Sequence, residues 1–161
     1  MEYFNPVIRQ GTGADLNCVS GIVKKIWDMG GDSLMEQRFG LIGNKPWQEW
    51  TSADILNYIK AKMEFFLIAE FENRVVGFAS YRLDNRRKMG TIGYNGVDPD
   101  YGGRGIGTKL IGKALGLMRK NGMVYALVIT GLNKGHQPAR KMYEKAGFKP
   151  LLKTITYAMK L

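Results

Sequence analysis

The stretch VDPDYGGRGIGTKL (residues 97–110) holds four glycines within six positions, and it lies between two segments of different periodicity. The run before it, TIGYNGV (residues 91–97), has the composition of a strand weakened by glycines. The run after it places apolar residues at helical spacing, at Ile106, Leu110, Ala114, Leu117 and Met118. Glycines permit positive φ and allow backbone N–H groups to converge at the positive end of a helix dipole. The segment therefore predicts an anion-binding turn between a strand and a helix.

Spacing separates this turn from two common phosphate motifs. A P-loop needs G-x-x-x-x-G-K-[ST]; Gly102 and Gly107 have that spacing, but Thr108 precedes Lys109, so the order is reversed. A dinucleotide fingerprint needs G-x-G-x-x-G near the first strand–helix turn, whereas this turn reads G-x-G-x-G and follows three strands. Taken alone, the loop leaves open whether it binds an anion or is a plain glycine-rich turn.

A second strand–helix unit follows. VYALVIT (residues 124–130) predicts a strand, and after a loop Pro138 stands where the first helical position is expected. This helix ends at Gly147, a typical stop signal. The tail, residues 148–161, alternates well enough to predict one or two closing strands.

Upstream, the first third of the chain is mainly helical. Helices are expected from about residue 14 to 29, from 32 to 39, and from near Pro46 onward, with Cys18 packed along the first and a possible break at Thr51 and Ser52 in the third. FFLIAEF (residues 65–71) and VVGFASYRL (residues 75–83) then predict adjacent antiparallel strands. The predicted order is a strand, helices, three strands, a helix, a strand, a helix and one or two closing strands. This order predicts an α/β (α+β-like) domain with a mixed, mainly antiparallel sheet of six to seven strands flanked by helices.

Length and composition bound the class of protein. A chain of 161 residues with 45% hydrophobic content predicts one folded domain over residues 1–161. Its longest apolar run, residues 65–69, is far shorter than the roughly 20 residues of a membrane-spanning helix. Without an apolar block near the N-terminus no secretory signal is expected, and we predict a cytoplasmic location. The single cysteine, Cys18, forms neither an internal disulfide nor a cysteine zinc cluster.

The net charge of +10 favours anionic partners: nucleic acid, an anionic membrane or a polyphosphate ligand. The basic residues recur as scattered short groups, for example at 24–25, 86–88 and 119–120, and not as one block. Such a distribution also fits a solvated surface with an excess of base.

Two motifs in this order resemble the GNAT family of acetyl-CoA-dependent N-acetyltransferases. The family's pyrophosphate loop reads roughly [R/Q]-x-x-G-x-[G/A] after a strand that ends in V-x-P, and Val97, Pro99, Gly105 and Gly107 match it. YEKAGF (residues 143–148) matches the signature that ends the family's next strand–helix unit. One departure is that Gly102 stands where the family loop opens with Arg or Gln.

The resemblance implies a GNAT-type fold and a set of residues that bind acetyl-CoA. Main-chain amides would hold the pyrophosphate, and they belong to Gly103, Arg104, Gly105, Ile106, Gly107 and Thr108. The strand at Asn95, Gly96 and Val97 would splay from its neighbour and pair with the pantetheine arm. By the same resemblance, the Val97 N–H would polarise the thioester carbonyl.

Two side chains complete the site that the resemblance implies. Tyr143 would be the general acid that protonates the departing thiolate, although helix spacing alone favours a core aromatic at this position. His136, the only histidine, would hydrogen-bond the pantetheine arm. The positions where the family often carries a general base fall near Thr91 and Gly131, which cannot act as one, and a water chain to Glu70 or Asp84 is left open.

The sequence thus predicts an N-acetyltransferase that moves an acetyl group from acetyl-CoA to a primary amine by direct transfer through a tetrahedral intermediate, without a metal. The acceptor stays open among small amines, aminoglycosides, peptide N-termini and protein lysines, and a homodimer is an open assembly state. Two alternatives remain. The missing base fits a GNAT-like domain that binds CoA without catalysis, and the net charge fits a nucleic-acid-binding module, which the scattered basic groups disfavour.

Overall fold

The computed structural model describes residues 4–26 and 31–161. Within these ranges the strands and helices follow one another in the order β1 (Val7–Gln10), α1 (Leu16–Ile26), α2 (Gly31–Phe39), α3 (Trp47–Lys60), β2 (Phe66–Phe71), β3 (Arg74–Asp84), β4 (Met89–Val97), α4 (Ile106–Lys120), β5 (Tyr125–Val128) and α5 (Gln137–Lys145). The predicted succession of a strand, helices, three strands, and alternating helix and strand is confirmed up to α5.

The strands form one sheet in the spatial order β1-β2-β3-β4-β5. The first three pairings are antiparallel and the pairing of β4 with β5 is parallel. The sheet is therefore mixed and mainly antiparallel, as predicted, and α4 is the crossover between its two parallel strands.

Helices cover both faces of the sheet, and each face has its own apolar cluster. On one face Ile106, Leu110 and Ile111 of α4 pack against the sheet. On the other, Val19 and Ile22 of α1 lie with buried residues of α3 and the strands. Burial on both faces explains why β2 and β3 are continuous apolar runs rather than alternating ones.

A bulge interrupts the pairing of β3 with β4. Ala79 pairs with Asn95 and Tyr81 pairs with Ile92, so Gly93 and Tyr94 together face Ser80. The extra residue shifts the alternation of side chains between the two faces of β4. As a result Asn95 lies on the same face of the sheet as Ile92, three residues before it.

The C-terminal tail differs from its prediction. Residues 149–161 form no strand, and large apolar side chains such as Leu151 and Ile155 are exposed there. The sheet consequently has five strands in the described part of the chain, not six or seven. Alternation of apolar residues determines which side chains would share a face of a strand. It does not determine whether the edge of a sheet is available for that strand to pair with.

Two local expectations in the helical region are also changed, and a third falls outside the described residues. The third helix runs without a break through Thr51 and Ser52, and the Ser52 hydroxyl lies 3.0 Å from that of Ser20 on α1, so the serine joins two helices. Cys18 is exposed, because it lies on the outer side of α1. The expected end of this helix at residues 29–30 lies outside the described residues.

A charged network fixes β1 to the turn before α1. The Arg9 guanidinium donates to both carboxylate oxygens of Asp15, at 2.8 and 2.9 Å, and to Glu70 at 2.8 Å. Asp15 is buried, and its carboxylate also accepts from the backbone N–H of Thr12 at 2.8 Å. The hydrogen bonds from Arg9 lower the pKa of Asp15 to about 2.

This network predicts a loss of stability in acid. Because the folded pKa of Asp15 lies below its unfolded value of about 4, its contribution of about 2 kcal/mol is fully present above about pH 4 and is lost as the pH falls towards 2. Urea unfolding of the parent and of Asp15→Asn, measured across this window, checks the prediction. The variant is expected to show a smaller decrease in its free energy of unfolding, and equal decreases would contradict the assignment.

No helix in residues 4–26 or 31–161 is long and apolar enough to cross a membrane. The same ranges hold no group of three His, Cys, Asp or Glu side chains that could bind a metal ion.

Candidate functional site

The glycine-rich turn forms a concave set of backbone N–H groups at the start of α4. Gly103 has φ of 72° and Gly105 has φ of 78°, which other residues adopt only with strain. The first helical hydrogen bond runs from the Lys109 N–H to the Gly105 carbonyl, at 3.0 Å. In the described part of the chain, no protein acceptor takes the N–H groups of residues 103–108. We call these six residues the glycine cradle; free N–H donors at a helix N-terminus favour an anion.

Glycine is required at Gly105 and at Gly107 for different physical reasons. The space beside Gly105 is open, so its requirement is the positive φ alone. Gly107 has ordinary helical geometry, but a Cβ built on it would lie 2.7 Å from Sδ of Met142 on α5 and 3.7 Å from Cγ2 of Val97. This glycine therefore allows α4, α5 and the end of β4 to meet at one point.

One edge of β4 is open beside the cradle. The parallel pairing with β5 ends at Ile92 and Val128, whereas the antiparallel pairing with β3 continues to Val97. We call residues 93–97 the open edge of β4. The end of this pairing at Ile92 is compatible with the expected splay of β4 from its neighbour.

The direction of the Val97 N–H follows from the ladder. The Asp98 N–H donates to the Val76 carbonyl at 2.9 Å, so Asp98 faces β3. Because N–H groups alternate along a strand, the N–H groups of Val97 and Asn95 point away from β3, toward the open edge. Gly96 lies between them, and a Cβ there would collide with Ile26 of α1 and approach Phe78.

A cavity of about 570 Å³ joins these features. It is bounded by the glycine cradle, the open edge of β4, the start of α5 and Ile26 of α1. Most of the residues that the sequence predicts to bind CoA line this cavity. They are Asn95, Gly96, Val97, Gly103, Gly105, Ile106, Gly107, Thr108 and His136. Arg104 and Tyr143 are not in its lining.

Tyr143 lies on α5 and is buried, with 5% of its surface exposed. Its ring packs 5.9 Å from that of Phe148, and its hydroxyl oxygen accepts a hydrogen bond of 2.8 Å from Nδ2 of Asn95. Burial raises the pKa of Tyr143 above its ordinary value, and the bond from Asn95 opposes that shift. The phenol is therefore neutral at physiological pH and can donate a proton.

His136 precedes α5 and borders the cavity. Its Nδ1 lies 2.6 Å from Oδ1 of Asn133, and its backbone N–H donates to the Asn133 carbonyl at 3.2 Å. Arg140 donates to the carbonyls of Gly131 and Asn133, at 2.6 and 3.0 Å. The loop that carries His136 is thus held by hydrogen bonds at several points.

Two cations of the turn and of the first part of α4, Arg104 and Lys109, have protein partners. The Arg104 guanidinium lies 5.0 Å from the ring centre of Phe4 and 5.5 Å from that of Tyr101. The Lys109 ammonium donates to Oδ1 of Asn5 at 2.7 Å. These contacts engage both side chains with protein groups, whereas Lys145 of α5 is the basic side chain other than His136 in the described cavity lining.

Neither carboxylate considered from the sequence as a distant base lies in the cavity. Glu70 binds Arg9, and Asp84 accepts from the backbone N–H groups of Arg86 and Arg87 in the turn after β3. Among the described residues, no Asp or Glu lines the cavity.

Sequence reasoning missed the side chain of Asn95. It treated this residue as a source of backbone hydrogen bonds only, whereas its amide reaches Tyr143. One signal could have predicted the orientation of the Asn95 side chain. Ile92 and Asn95 are three residues apart, and two strand residues at an odd interval share a face only if the strand has a bulge. The glycine between them is a residue that often marks such a bulge.

Comparisons with known proteins agree with this geometry. The sequence profile of the acetyltransferase (GNAT) family matches residues 29–148. The chain is 32% identical over 110 residues to an uncharacterized N-acetyltransferase of Methanocaldococcus jannaschii, covering 65% of this chain and 46% of that protein. It spans less than half the length of the curated relatives it matches.

Solved structures share the fold. The PaiA N-acetyltransferase of Thermoplasma acidophilum, solved in complex with coenzyme A, has a TM-score of 0.69 at 19% identity over 90% of each chain. A GNAT family acetyltransferase of Brucella melitensis, solved in complex with acetyl-CoA, has a TM-score of 0.61 at 19% identity, over 92% of this chain and 85% of that one. At this identity the likeness is one of fold.

Proposed function

Because the chain belongs to the acetyltransferase (GNAT) family, we propose that it transfers an acetyl group from acetyl-CoA to a primary amine. The observation that carries the proposal is the adjacency of the glycine cradle and the open edge of β4 around one cavity. The first suits a diphosphate and the second suits an extended amide-containing arm, and acetyl-CoA has both in sequence.

The chain's own groups fit this cosubstrate. We propose that the N–H groups of residues 103–108 bind the pyrophosphate and that the open edge of β4 binds the pantetheine arm. In the described residues no backbone acceptor takes the N–H groups of residues 103–108, the pairing of β5 with β4 ends at Ile92, and the space beside Gly103 and Gly105 is open. His136 borders the same cavity and would add a hydrogen bond to the arm.

Acetyl-CoA supplies an activated acetyl thioester. In the proposed reaction the neutral amine forms a bond to the carbonyl carbon while the Val97 N–H donates to the carbonyl oxygen. The carbon–sulfur bond breaks, and Tyr143 gives its hydroxyl proton to the sulfur. The surplus proton of the amine returns through water to the Tyr143 oxygen, so charge and atoms balance. In this proposal residues 1–161 form a single N-acetyltransferase domain, which supplies both Val97 and Tyr143.

In this proposal the acceptor reaches the cavity as the neutral amine, and no Asp or Glu is among the described lining residues. This feature also favours the second candidate, a domain of the same family that binds CoA without catalysis. The two candidates differ in one measurable quantity, the release of CoA thiol that depends on an amine.

The first experiment is a thermal shift with acetyl-CoA followed by a screen of amines with thiol release as the readout. Acetyl-CoA at about 100 times its Kd is expected to stabilise the folded state by about 2.7 kcal/mol, a rise of several degrees in Tm. An amine that accelerates thiol release establishes transfer. No shift at millimolar acetyl-CoA would contradict the proposal, and a shift without release for any of the amine classes would select the non-catalytic candidate.

A further inference from the structure

The amide of Asn95 makes two contacts from one nitrogen atom. Its Nδ2 lies 3.1 Å from the Gly93 carbonyl oxygen and 2.8 Å from the Tyr143 hydroxyl oxygen. A carbonyl only accepts, so the contact with Gly93 fixes which end of the amide carries hydrogens. The second hydrogen of that nitrogen therefore goes to Tyr143, and the tyrosine oxygen is the acceptor.

This assignment leaves the tyrosine's own hydrogen without a protein partner. A phenol has one hydrogen, and because its oxygen accepts from Asn95, that hydrogen must point elsewhere. In residues 4–26 and 31–161 no acceptor receives it. Asn95 lines the cavity and Tyr143 does not, so the tyrosine oxygen lies 2.8 Å from the amide nitrogen of a lining side chain.

The backbone conformation of β4 orients the Asn95 amide toward Tyr143. Asn95 faces Tyr143 because the bulge at Gly93 and Tyr94 shifts the alternation of the strand. The Ser80 hydroxyl donates to the Tyr94 carbonyl at 3.0 Å and fixes the bulge. A Cβ on Gly93 would lie 2.7 Å from that hydroxyl oxygen and 2.8 Å from the Tyr58 ring, so this position needs glycine.

We propose that Asn95 is a positioning residue that donates to the Tyr143 oxygen and thereby directs the tyrosine's proton to the leaving sulfur. The inference rests on the proposed function, in which Tyr143 is the acid. Once the proton has left, the same Asn95 N–H donates to a phenolate, and a hydrogen bond to a charged acceptor is stronger than one to a neutral acceptor. Asn95 therefore stabilises Tyr143 more after proton transfer than before it.

The test compares Asn95→Leu with the parent in steady-state kinetics and in CoA binding by calorimetry. Leucine has a similar volume and no donor, so we expect kcat to fall about 10- to 100-fold with the Kd for CoA changed less than about twofold. Asn121→Leu is the matched control, because Asn121 caps the far end of α4 and bonds the Leu117 carbonyl. A normal kcat in Asn95→Leu would overturn the proposal.

A double-mutant cycle separates an effect through Tyr143 from a general one. In the Tyr143→Phe background, Asn95→Leu is expected to lower kcat by less than about twofold, whereas independent effects would multiply and contradict the proposal. If Tyr143→Phe alone leaves kcat unchanged, the assigned acid is wrong. If it lowers kcat and Asn95→Leu does not, only the role of Asn95 is wrong.

One readout needs no turnover. The absorbance of ionising tyrosine, taken as the difference between the parent and Tyr143→Phe, reports the pKa of Tyr143. Removal of the Asn95 donor is expected to raise that pKa, because the donor stabilises the phenolate. Asn95→Ser, which retains a hydroxyl donor, is the second variant if leucine prevents folding, and it is expected to shift the pKa less. An unchanged pKa in both variants would overturn the contact.

Discussion

Replacing Tyr143 with phenylalanine is expected to lower the turnover number of acetyl transfer by about 10²- to 10³-fold while leaving the affinity for CoA almost unchanged. The substitution removes one oxygen atom and retains the ring that packs against Phe148. Without the proton, the sulfur must leave as a thiolate. Initial rates at saturating acetyl-CoA give the turnover number, and calorimetry gives the affinity.

Tyr81→Phe is the matched control for this experiment. Tyr81 is buried to a similar degree, belongs to the same apolar cluster and packs against Phe65, but it does not line the cavity. We expect its kinetics to match the parent's. Unchanged turnover in Tyr143→Phe would remove this residue as the acid, and equal losses in both variants would assign the effect to the core and not to the reaction.

Placing glutamate at Gly105 is expected to abolish the thermal shift with acetyl-CoA. The new carboxylate would occupy the open space at the centre of the glycine cradle and repel a diphosphate there. Its cost to folding is the strain of a positive φ, of the order of 1 kcal/mol, which a parent-like Tm in the absence of ligand would bound. Differential scanning fluorimetry with and without acetyl-CoA measures both quantities.

Gly122→Glu provides the control at the other end of the same helix. Gly122 has φ of 75°, close to the 78° of Gly105, and it too has open space beside it. The two variants therefore impose similar backbone strain and the same change of charge. We expect Gly122→Glu to retain the shift with acetyl-CoA. A retained shift in Gly105→Glu would mean that the ligand binds elsewhere, and a lost shift in both would mean that strain, not the cradle, is responsible.

The parts of the site that could be predicted are those whose signal is local in sequence. The position of α4 follows from glycines that permit positive φ before a helical stripe, and α5 follows from Pro138 and Gly147 at its ends. Such signals depend on backbone geometry within a few residues, so one chain suffices to find them.

The parts that were missed depend on contacts between distant segments. The bulge of β4 depends on Ser80, and the orientation of Asn95 depends on that bulge. In the unbroken α3 the hydroxyl of Ser52 contacts that of Ser20, which lies 32 residues earlier on α1. The tail alternates like a strand, yet residues 149–161 form none, because pairing needs an edge that alternation does not specify.

The place where β5 ends also leaves an edge of β4 at which strands of other molecules could pair. Unpaired N–H and C=O groups along a strand attract strands of other molecules, and many sheets protect such groups with charged residues or proline. Here the length of β4 that extends past its pairing with β5 contains only Gly, Tyr, Asn, Gly and Val, so composition offers little protection. The cavity wall formed by Ala139 and Met142 of α5 limits access instead. A thin flexible chain can enter, whereas a foreign strand with side chains on both faces meets the helix, so one opening can serve a ligand without inviting aggregation.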